Sequence, residues 1–499
     1  MSAVRVSRVR SSGNVSRALA RDRLGVGGVL FFVLAGVAPL TVAAGVIPTA
    51  YATTGLTGMP AAFGAVAVVL AVFATGYVAM ARHVTSAGAF CAFISQGIGR
   101  AAGVAAALVA LLAYSCLQVG LYGALGPAAQ AEAAAHLGVH APWWSWALGA
   151  WAVITVLGLF RVDITGRVLG VLLTCELAVI VAETVAGLSH PAGGHLSFAT
   201  LSPAGLASAG AGTFGVLAVV AVLGFVGFEQ APVLAEETSN ARRTIPLATF
   251  LALGLIAVVY AGASWAMAVH AGTSHVTAAA RQQGPGLLFA LGGGALSQVA
   301  QLLFLTSLFA AALAFHNVVW RYIFALGREH VLPAALGRTG ANNIPKAASL
   351  TQSATGLAVI VFYAATGQNP MVRLFFGLGT LGGFGIIVLL TLTAISVVVF
   401  FARDHRGENP WQRLIAPALA AVLLAAIAVL AVRNYSSLLG VPPADPASWE
   451  FPASYAAVAL TGLGWGLILK TRHPGLYASV GLGARAVTAR LNLTPDQAR

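Results

Sequence analysis

The sequence predicts an all-α integral membrane protein with about 12 transmembrane helices. Only 8% of its 499 residues are charged and 59% are hydrophobic, whereas a soluble domain carries roughly 25% charged residues. Apolar stretches of about 20 residues, the length that crosses a bilayer, recur along the whole chain. Lysine and arginine fall mainly in alternate loops between these stretches. The positive residues behind the net charge of +13 therefore mark the loops on one side of a membrane. We expect the lipid bilayer as surroundings and no nucleic-acid partner.

The spans are predicted in order from the apolar runs and the residues that interrupt them. Their approximate cores are 25–47, 61–80, 101–126, 143–160, 168–188, 209–234, 247–270, 296–325, 348–366, 373–401, 413–432 and 453–470. Residues 1–24 and 471–499 are predicted to be tails outside the membrane.

The basic residues predict which side of the membrane each loop occupies. The loops on the side of the N-terminus contain Arg82, Arg100, Arg161, Arg167, Arg242, Arg243, Arg328, Arg338, Lys346, Arg403, Arg406, Arg413 and Lys470. The opposite loops contain little beyond Arg281, Arg373 and Arg433. Because positive charge accumulates in cytoplasmic loops, both termini are expected in the cytoplasm and the protein in the cell membrane. The N-terminal arginines, Arg5, Arg8, Arg10, Arg17, Arg21 and Arg23, are interpreted as a cytoplasmic tail and not as part of a signal peptide.

The first and sixth spans are interrupted near their middle. The first, LFFVLAGVAPLTVAAGVIP, contains Gly36 and Pro39, and the sixth, FGVLAVVAVLGFVGFEQAPVLAEETSNARRTIP, contains Gly224, Gly227 and Glu229. A break within hydrocarbon frees backbone N–H and C=O groups, so it is tolerated where protein, water or a ligand satisfies them. Discontinuous helices of this kind bind substrate in many secondary transporters. The alternative is that the glycines only allow close helix packing.

Spans 1–5 and 6–10 form two groups that each begin with an interrupted span. An odd number of spans per group places the second group upside down, so the sequence predicts an inverted repeat. The predicted domains are a transporter core at 25–405, with repeats at about 25–190 and 205–405, and two extra C-terminal helices within 406–470. The two extra helices are assigned to packing or oligomerisation.

Three regions contain motifs that are specific in combination. The first third contains GVAPLT, GVIP, TGLTGMP, GYVAMARHVTSAGAF and GIGR, the sixth span contains GFVGFEQAPVLAEETSNARRTIP, and the eighth span ends in FHNVVWRYIFALGREHVLP. Over about residues 25–405 this pattern resembles that of bacterial amino-acid permeases of the amino acid–polyamine–organocation (APC) superfamily. The resemblance implies a LeuT-like fold of five plus five inverted helices followed by two more. It also implies coupled transport of an amino acid or amine.

The resemblance implies a substrate site at the two breaks. Residues 35–41 would hold the substrate carboxylate through free N–H groups and the positive end of a half-helix. Residues 224–229 would supply carbonyls for the amine, with Phe225 as an aromatic gate. On the third span, Tyr114, Gln118 and Tyr122 share one helix face, which either lines the path or forms interhelical hydrogen bonds. The substrate-binding residues expected are Ala35, Gly36, Val37, Ala38, Pro39, Thr41, Tyr114, Gly224, Phe225, Val226 and Gly227.

Glu176 is the main candidate for ion coupling. It lies within the fifth span in LGVLLTCELAVIVAETV, and intramembrane carboxylates usually mark ion or proton pathways. In related permeases the matching position often holds a lysine, so the glutamate leaves the coupling ion open. Glu176 carries a proton, the favoured interpretation, or it binds sodium with Thr306, Ser307 and first-span carbonyls, or it only bonds to a neighbouring helix. Glu229 either joins the proton path or caps the broken sixth span.

Further charged residues are expected near the ends of the sixth and eighth spans. One hypothesis pairs Glu236 and Glu237 with Arg242 and Arg243 as an inner gate, the alternative being a solvated loop. A second predicts that a network of His316, Asn317 and Arg321 holds the eighth span. Glu183, His190 and His195 are interpreted as structural or surface residues.

The sequence therefore predicts a secondary active transporter that carries neutral amino acids with protons by alternating access. Spans 1, 2, 6 and 7 would move against spans 3, 4, 8 and 9. The alternatives are an amino-acid or amine exchanger, a sodium-coupled symporter and, from other classes, a channel or a non-transporting sensor. Nucleotide-binding and hydrolase motifs are absent from the sequence, so no enzymatic activity is expected. The cysteines at 91, 116 and 175 have no metal-binding spacing, and neither a metal nor a cofactor is expected.

Overall fold

The computed structural model describes residue 19 and residues 24–160, 162–203, 211–340 and 344–483. Within this part of the chain, 11 helices are long and apolar enough to cross a membrane, and a twelfth apolar helix is shorter. The described residues form no β-strand beyond an isolated bridge between Leu24 and Thr238. The predicted all-α class is therefore confirmed, and the described helices are consistent with the about 12 spans predicted from the sequence, the fourth being the shorter one. The N-terminal arginines at positions 5–23 and Arg161 lie outside the described residues.

The spans begin and end close to the predicted positions. They are Val26–Thr54, Met59–Ala81, Arg100–Leu137, Trp143–Leu157, Val162–Ser189, Ala211–Phe225 with Phe228–Leu234, Ala241–Ala271, Gly294–Arg328, Lys346–Thr366, Pro370–Arg403, Trp411–Arg433 and Ala447–Arg472. The third span is longer than predicted because alanine-rich sequence continues the helix past Pro127. A short helix that the apolar runs did not predict, Ala89–Gly97, joins the second and third spans.

The first span is broken at Ala38. The helix Val26–Val37 ends there, since Ala38 has a φ of 55° and its N–H group bonds to the carbonyls of Leu34 and Ala35. Pro39 follows, and it has no N–H group with which to continue the helix. The chain resumes as Pro39–Thr41, passes through a π-helical segment at Val42–Val46, and ends as Ile47–Thr54. Such π segments are frequent at functional sites.

The sixth span is broken at Gly227. The helix Ala211–Phe225 ends two residues earlier, and Gly227 has a φ of 119°, which side-chain-bearing residues rarely adopt. The chain continues as the 3₁₀ helix Phe228–Leu234, with Pro232 inside it. The sequence therefore located both interruptions within a few residues.

The two breaks are in direct contact. A Cβ atom added to Gly227 would lie 2.7 Å from the backbone nitrogen of Val37, and one added to Gly36 would lie 2.5 Å from Oε1 of Gln230. Only glycine permits this approach of two backbones. The crossing brings the freed peptide groups of both spans together.

The twelfth span packs against the third through glycine. A Cβ atom on Gly462 would lie 2.5 Å from the Cα atom of Ala105, and one on Gly466 would lie 2.8 Å from that of Ala101. Small residues allow such close contact between membrane helices. The last span is thus fixed to the core through its contact with the third span.

Both described ends of the chain lie at the same side of the molecule. The Leu24 N–H group donates to the carbonyl of Glu237, and Gly481 donates to the carboxylate of Glu329 at the end of the eighth span. We call this side, which holds Leu24 and Gly481, the terminal face.

Candidate functional site

A cavity of about 170 Å³ lies beside the two breaks. Five spans and the short helix Tyr435–Leu439 form its wall. The lining residues are Gly36, Val37, Ala38, Thr41, Val42, Val46, Thr49, Leu117, Leu121, Val220, Leu223, Val226, Ala311, Phe315, Phe375, Phe376, Gly379, Thr380 and Leu438. Apart from three threonines, these side chains are apolar, and none of the described lining residues carries a charge. The cavity therefore suits a small solute with an apolar side chain whose polar groups meet the backbone.

The predicted substrate residues divide into two groups around this cavity. Gly36, Val37, Ala38, Thr41 and Val226 line it. Ala35, Pro39, Tyr114, Gly224, Phe225 and Gly227 do not line it, and they lie in or behind the two breaks. The structure thus places the cavity at the predicted breaks but exposes only part of each segment to it.

Phe225, predicted to be an aromatic gate, faces away from the cavity. Its ring centroid lies 6.0 Å from that of Phe63 and 5.9 Å from that of Tyr260, and the side chain is fully buried. The aromatic rings that line the cavity are Phe315 and the pair Phe375 and Phe376. Phe225 is the last residue before the break, so the rotation of the helix, which sequence alone does not give, decides its direction.

Glu229 holds the break in the sixth span. Its Oε2 accepts the N–H of Gly227 at 2.8 Å, and its Oε1 accepts the hydroxyl of Tyr114 at 2.8 Å. The hydroxyl of Tyr77 donates to the Glu229 carbonyl at 2.7 Å. Both carboxylate oxygens thus have donors, which is the capping arrangement that was one of the two hypotheses for this residue. Tyr114 belongs to this network and does not reach the cavity.

Farther along the same face of the third span, Gln118 and Tyr122 bond to each other, and Gln118 also bonds to a neighbouring helix. Gln118 donates to the hydroxyl of Tyr122 at 2.9 Å and accepts a hydrogen bond from Gln352 of the ninth span at 2.8 Å. Of the two interpretations of this helix face, the contacts of Gln118 agree with the one in which it forms interhelical hydrogen bonds.

Glu176 lies between three spans. It is 1% exposed, and the side chain of Ser307 and the backbone of Leu40 face its carboxyl group. Ser307 Oγ in turn accepts hydrogen bonds from the backbone N–H and the hydroxyl of Thr41 at 3.2 and 3.1 Å. Since Thr41 lines the cavity, Glu176 is linked to the cavity wall through one serine. Among the described residues, Oε2 of Glu176 has no hydrogen-bond partner.

Thr306, predicted to join this cluster, bonds within its own helix. Its hydroxyl donates to the carbonyl of Leu303 at 2.9 Å. Neighbouring positions on a helix point about 100° apart, so Ser307 and Thr306 cannot both face the first span. The structure brings together Glu176, Ser307 and Thr41, and not Thr306.

The glutamates after the sixth span pair with arginines of the eighth span. Arg321 Nε lies 2.6 Å from Oε1 of Glu237, and Arg328 forms a two-pronged pair with Glu236. The hypothesis that paired them with Arg242 and Arg243 is wrong, since both of those residues are exposed on the next helix. Pairs 84 and 92 residues apart depend on helix packing and cannot be inferred from nearness in sequence.

The eighth span is further held by polar contacts. Arg321 donates to the carbonyl of Asn317 at 2.7 Å, Asn317 donates to Leu313, and His316 contacts the hydroxyl of Ser349. These residues are buried in the half of the molecule that faces the terminal face. The side of the break that leads to the terminal face is therefore held together by the Glu229 network and by the two buried ion pairs.

The sequence does not identify two parts of this site, the aromatic residues of the tenth span and Gln230. Phe375 and Phe376 belong to a π-helical segment, Pro370–Gly377, that begins the tenth span. Gln230, which is buried against Gly36, is not among the residues predicted for the site. The proline and the many glycines of the tenth span were available signals of irregular helix.

Comparison with known proteins agrees with this architecture. A family model described as amino acid permease matches residues 28–473. The branched-chain amino acid permease BcaP of Lactococcus lactis subsp. cremoris (strain MG1363) is 24% identical over 209 residues, a match that covers 40% of this chain and 43% of the relative. The family match covers most of the chain and both broken spans. The chain belongs to the amino acid permease family.

Proposed function

We propose that this protein is a proton-coupled secondary transporter of neutral amino acids with apolar side chains. The observation that carries the proposal is the uncharged, largely apolar cavity at the crossing of two broken spans. A zwitterionic substrate needs polar partners only for its ammonium and carboxylate groups, and broken helices offer free peptide groups for both.

The direction of each half-helix indicates which substrate group lies at its end. The helix Ala211–Phe225 ends at its break and directs free carbonyls toward the substrate ammonium. The half of the first span that begins at Pro39 directs the positive end of its dipole toward the substrate carboxylate. The side chain then lies among Val220, Leu223 and Phe376 of the cavity wall.

The substrate class proposed includes leucine, isoleucine and valine. The Lactococcus relative is named as a branched-chain amino acid permease. Apolar walls favour such side chains through the hydrophobic effect. The lack of a charged group among the described lining residues disfavours arginine, glutamate and polyamines, since a buried charge needs a partner.

Glu176 is proposed as the group that carries the coupling proton. It is buried, connects through Ser307 to Thr41 in the cavity wall, and leaves one carboxylate oxygen without a described partner. A proton on this carboxyl group would change its bonding to Ser307 and so alter the first span next to the substrate. Sodium is the rival, because Thr41 and Ser307 also supply oxygen ligands.

We further propose that the terminal face is cytoplasmic. The excess of arginine and lysine in the loops on this side supports the assignment. The present conformation, in which buried ion pairs join the sixth and eighth spans on this side, would then be the one that receives substrate from outside the cell.

Uptake by reconstituted protein tests the proposal. Liposomes containing the protein would be given radiolabelled L-leucine under an inward proton gradient, an inward sodium gradient, or neither, with L-arginine, L-glutamate and putrescine as competitors. We expect saturable uptake driven by the proton gradient and unaffected by these competitors. Sodium-driven uptake would reject the proton, exchange without either gradient would indicate an antiporter, and no uptake in any arm would reject the proposed substrate class.

A further inference from the structure

Gln230 is buried at the crossing of the two broken spans without a partner for its side chain. It is 0% exposed, and neither Oε1 nor Nε2 has a hydrogen-bond partner among the described residues. Buried polar side chains are nearly always bonded. An apolar side chain of the same length would fill this space without the cost of removing an amide from water. The present conformation therefore gives no reason for an amide here.

The amide group lies against the first span at its break. A Cβ atom on Gly36 would lie 2.5 Å from Oε1 and 3.1 Å from both Cδ and Nε2 of Gln230. Gly36 itself lines the cavity. Gly36 thus lies between the Gln230 amide and the cavity.

Gln230 also lies on the route from the cavity to the terminal face. It follows the break directly in the 3₁₀ helix Phe228–Leu234, and Glu236 and Glu237 with their ion pairs come a few residues later. When the protein opens toward the terminal face, the first and sixth spans must separate on this side from the third and eighth spans, against which they move. That movement keeps Gln230 beside Gly36 and exposes its amide to the path.

Two backbone donors at the start of this 3₁₀ helix are already used within the sixth span. The N–H group of Gly227 donates to the Glu229 carboxylate, and the N–H group of Gln230 donates to the carbonyl of Gly227. The terminal-side half of the first span, Val26–Val37, ends at the break with carbonyls. A substrate leaving toward the terminal face finds acceptors for its ammonium there, and Nε2 of Gln230 is a free donor for its carboxylate.

We propose that Gln230 binds the substrate carboxylate in the conformation open to the terminal face. The inference rests on the proposed function and adds a contact that only one of the two conformations makes. A hydrogen bond between an amide and a carboxylate is charge-assisted and stronger than a neutral one. Gln230 therefore affects binding from the terminal face and leaves binding from the opposite face unchanged.

The test compares Gln230→Met with the wild type in membrane vesicles of both orientations. Initial uptake of radiolabelled L-leucine into everted and right-side-out vesicles gives a KM for each face, and cleavage of the tails by added protease identifies the terminal face. We expect the KM at the terminal face to rise by at least about tenfold, the effect of losing one hydrogen bond to a charged group, and the KM at the opposite face to stay within about twofold. Gln230→Asn, which keeps the amide, should recover part of the loss.

A second readout separates a lost contact from a shifted population of conformations. A population shift multiplies the apparent affinity of every ligand by the same factor. Inhibition by isoamylamine, which is leucine without its carboxylate, would therefore weaken as much as leucine binding if Gln230→Met only favours the present conformation. We expect its inhibition constant at the terminal face to stay unchanged.

Two outcomes would overturn the inference. One is an equal change of KM at both faces, and the other is an equal loss for leucine and isoamylamine. If the wild-type protein itself takes up no leucine, the proposed function has failed and not the role of Gln230.

Discussion

The carboxylates near the terminal face differ from the two carboxylates of the fifth span in how completely their oxygens are hydrogen-bonded. Glu229, Glu236 and Glu329 each have a donor on both oxygens. Glu176 and Glu183 each have one buried oxygen without a partner among the described residues. The first group holds backbone and helices in place, and the second group contains carboxylates with unused bonding capacity.

Location then distinguishes the two glutamates of the fifth span. Glu183 accepts the N–H of Gly292 at 2.6 Å, just before the eighth span begins. Glu176 reaches the cavity wall through Ser307 and Thr41. An incompletely bonded carboxylate beside a substrate site is a proton carrier candidate, whereas one at a loop supports that loop. The comparison thus supports the proposal that Glu176 carries the coupling proton, and it gives the other carboxylates structural roles.

The largest expected effect follows from removing the cation of a buried ion pair near the terminal face. Arg321→Ala leaves Glu237 buried without its partner, and loss of one member of a buried ion pair costs about 3–5 kcal/mol. The variant should unfold at a clearly lower temperature in detergent. Arg242→Ala, at the exposed residue that sequence alone paired with these glutamates, should change stability by less than about 0.5 kcal/mol. Equal effects of the two variants would refute the observed pairing.

Glu229→Gln tests whether this carboxylate is a cap or a carrier. The amide can accept from only one of its two donors, so a buried donor loses its partner, at about 1.5–3 kcal/mol for a bond to a charged group. Thermal stability and proton-driven and exchange transport should therefore fall together. Tyr114→Phe, which removes one of the same bonds, should show a smaller loss of the same kind. A Glu229→Gln variant that keeps exchange and loses only proton coupling would move the carrier role to Glu229.

The sequence located the spans and both breaks because these depend on local properties. Apolar length sets each span, and Pro39 and Gly227 impose their breaks through their own backbone geometry. The partners of Glu236 and Glu237 and the direction of Phe225 depend on the rotation and packing of distant helices. Pro370 and the glycines of the tenth span indicate an irregular helix near Phe376, but that Phe376 lines the cavity depends on the packing of distant spans.

A smaller effect is expected at Glu329, outside the spans. Burial is the main cause that raises the pKa of its carboxyl group from 4.5 to about 6, against the opposing hydrogen bonds from Gly481 and Gly483. The folded protein thus binds this proton more tightly than the unfolded chain does. The tighter proton binding adds about 2 kcal/mol to the free energy of unfolding. This gain is fully present below pH 4.5 and is lost as the pH rises through 6.

Thermal unfolding of Glu329→Gln across this pH range measures that contribution. The variant has no proton to lose, so the wild type should exceed it in stability by more at pH 5 than at pH 7.5. Leucine transport at neutral pH should stay near the wild-type rate, since Glu329 is a structural carboxylate in this comparison. A difference that grows with pH, or a loss of proton coupling, would contradict the assignment.

Accumulation of L-leucine by Glu176→Gln tests the central claim most directly, with Glu183→Gln as the matched control from the same helix. Proteoliposomes would be given an inward proton gradient, and exchange of internal for external leucine would be measured in parallel. We predict that Glu176→Gln exchanges leucine but no longer concentrates it, while Glu183→Gln still concentrates it. Proton-driven accumulation by Glu176→Gln at the wild-type level would contradict the assignment of the coupling proton to Glu176.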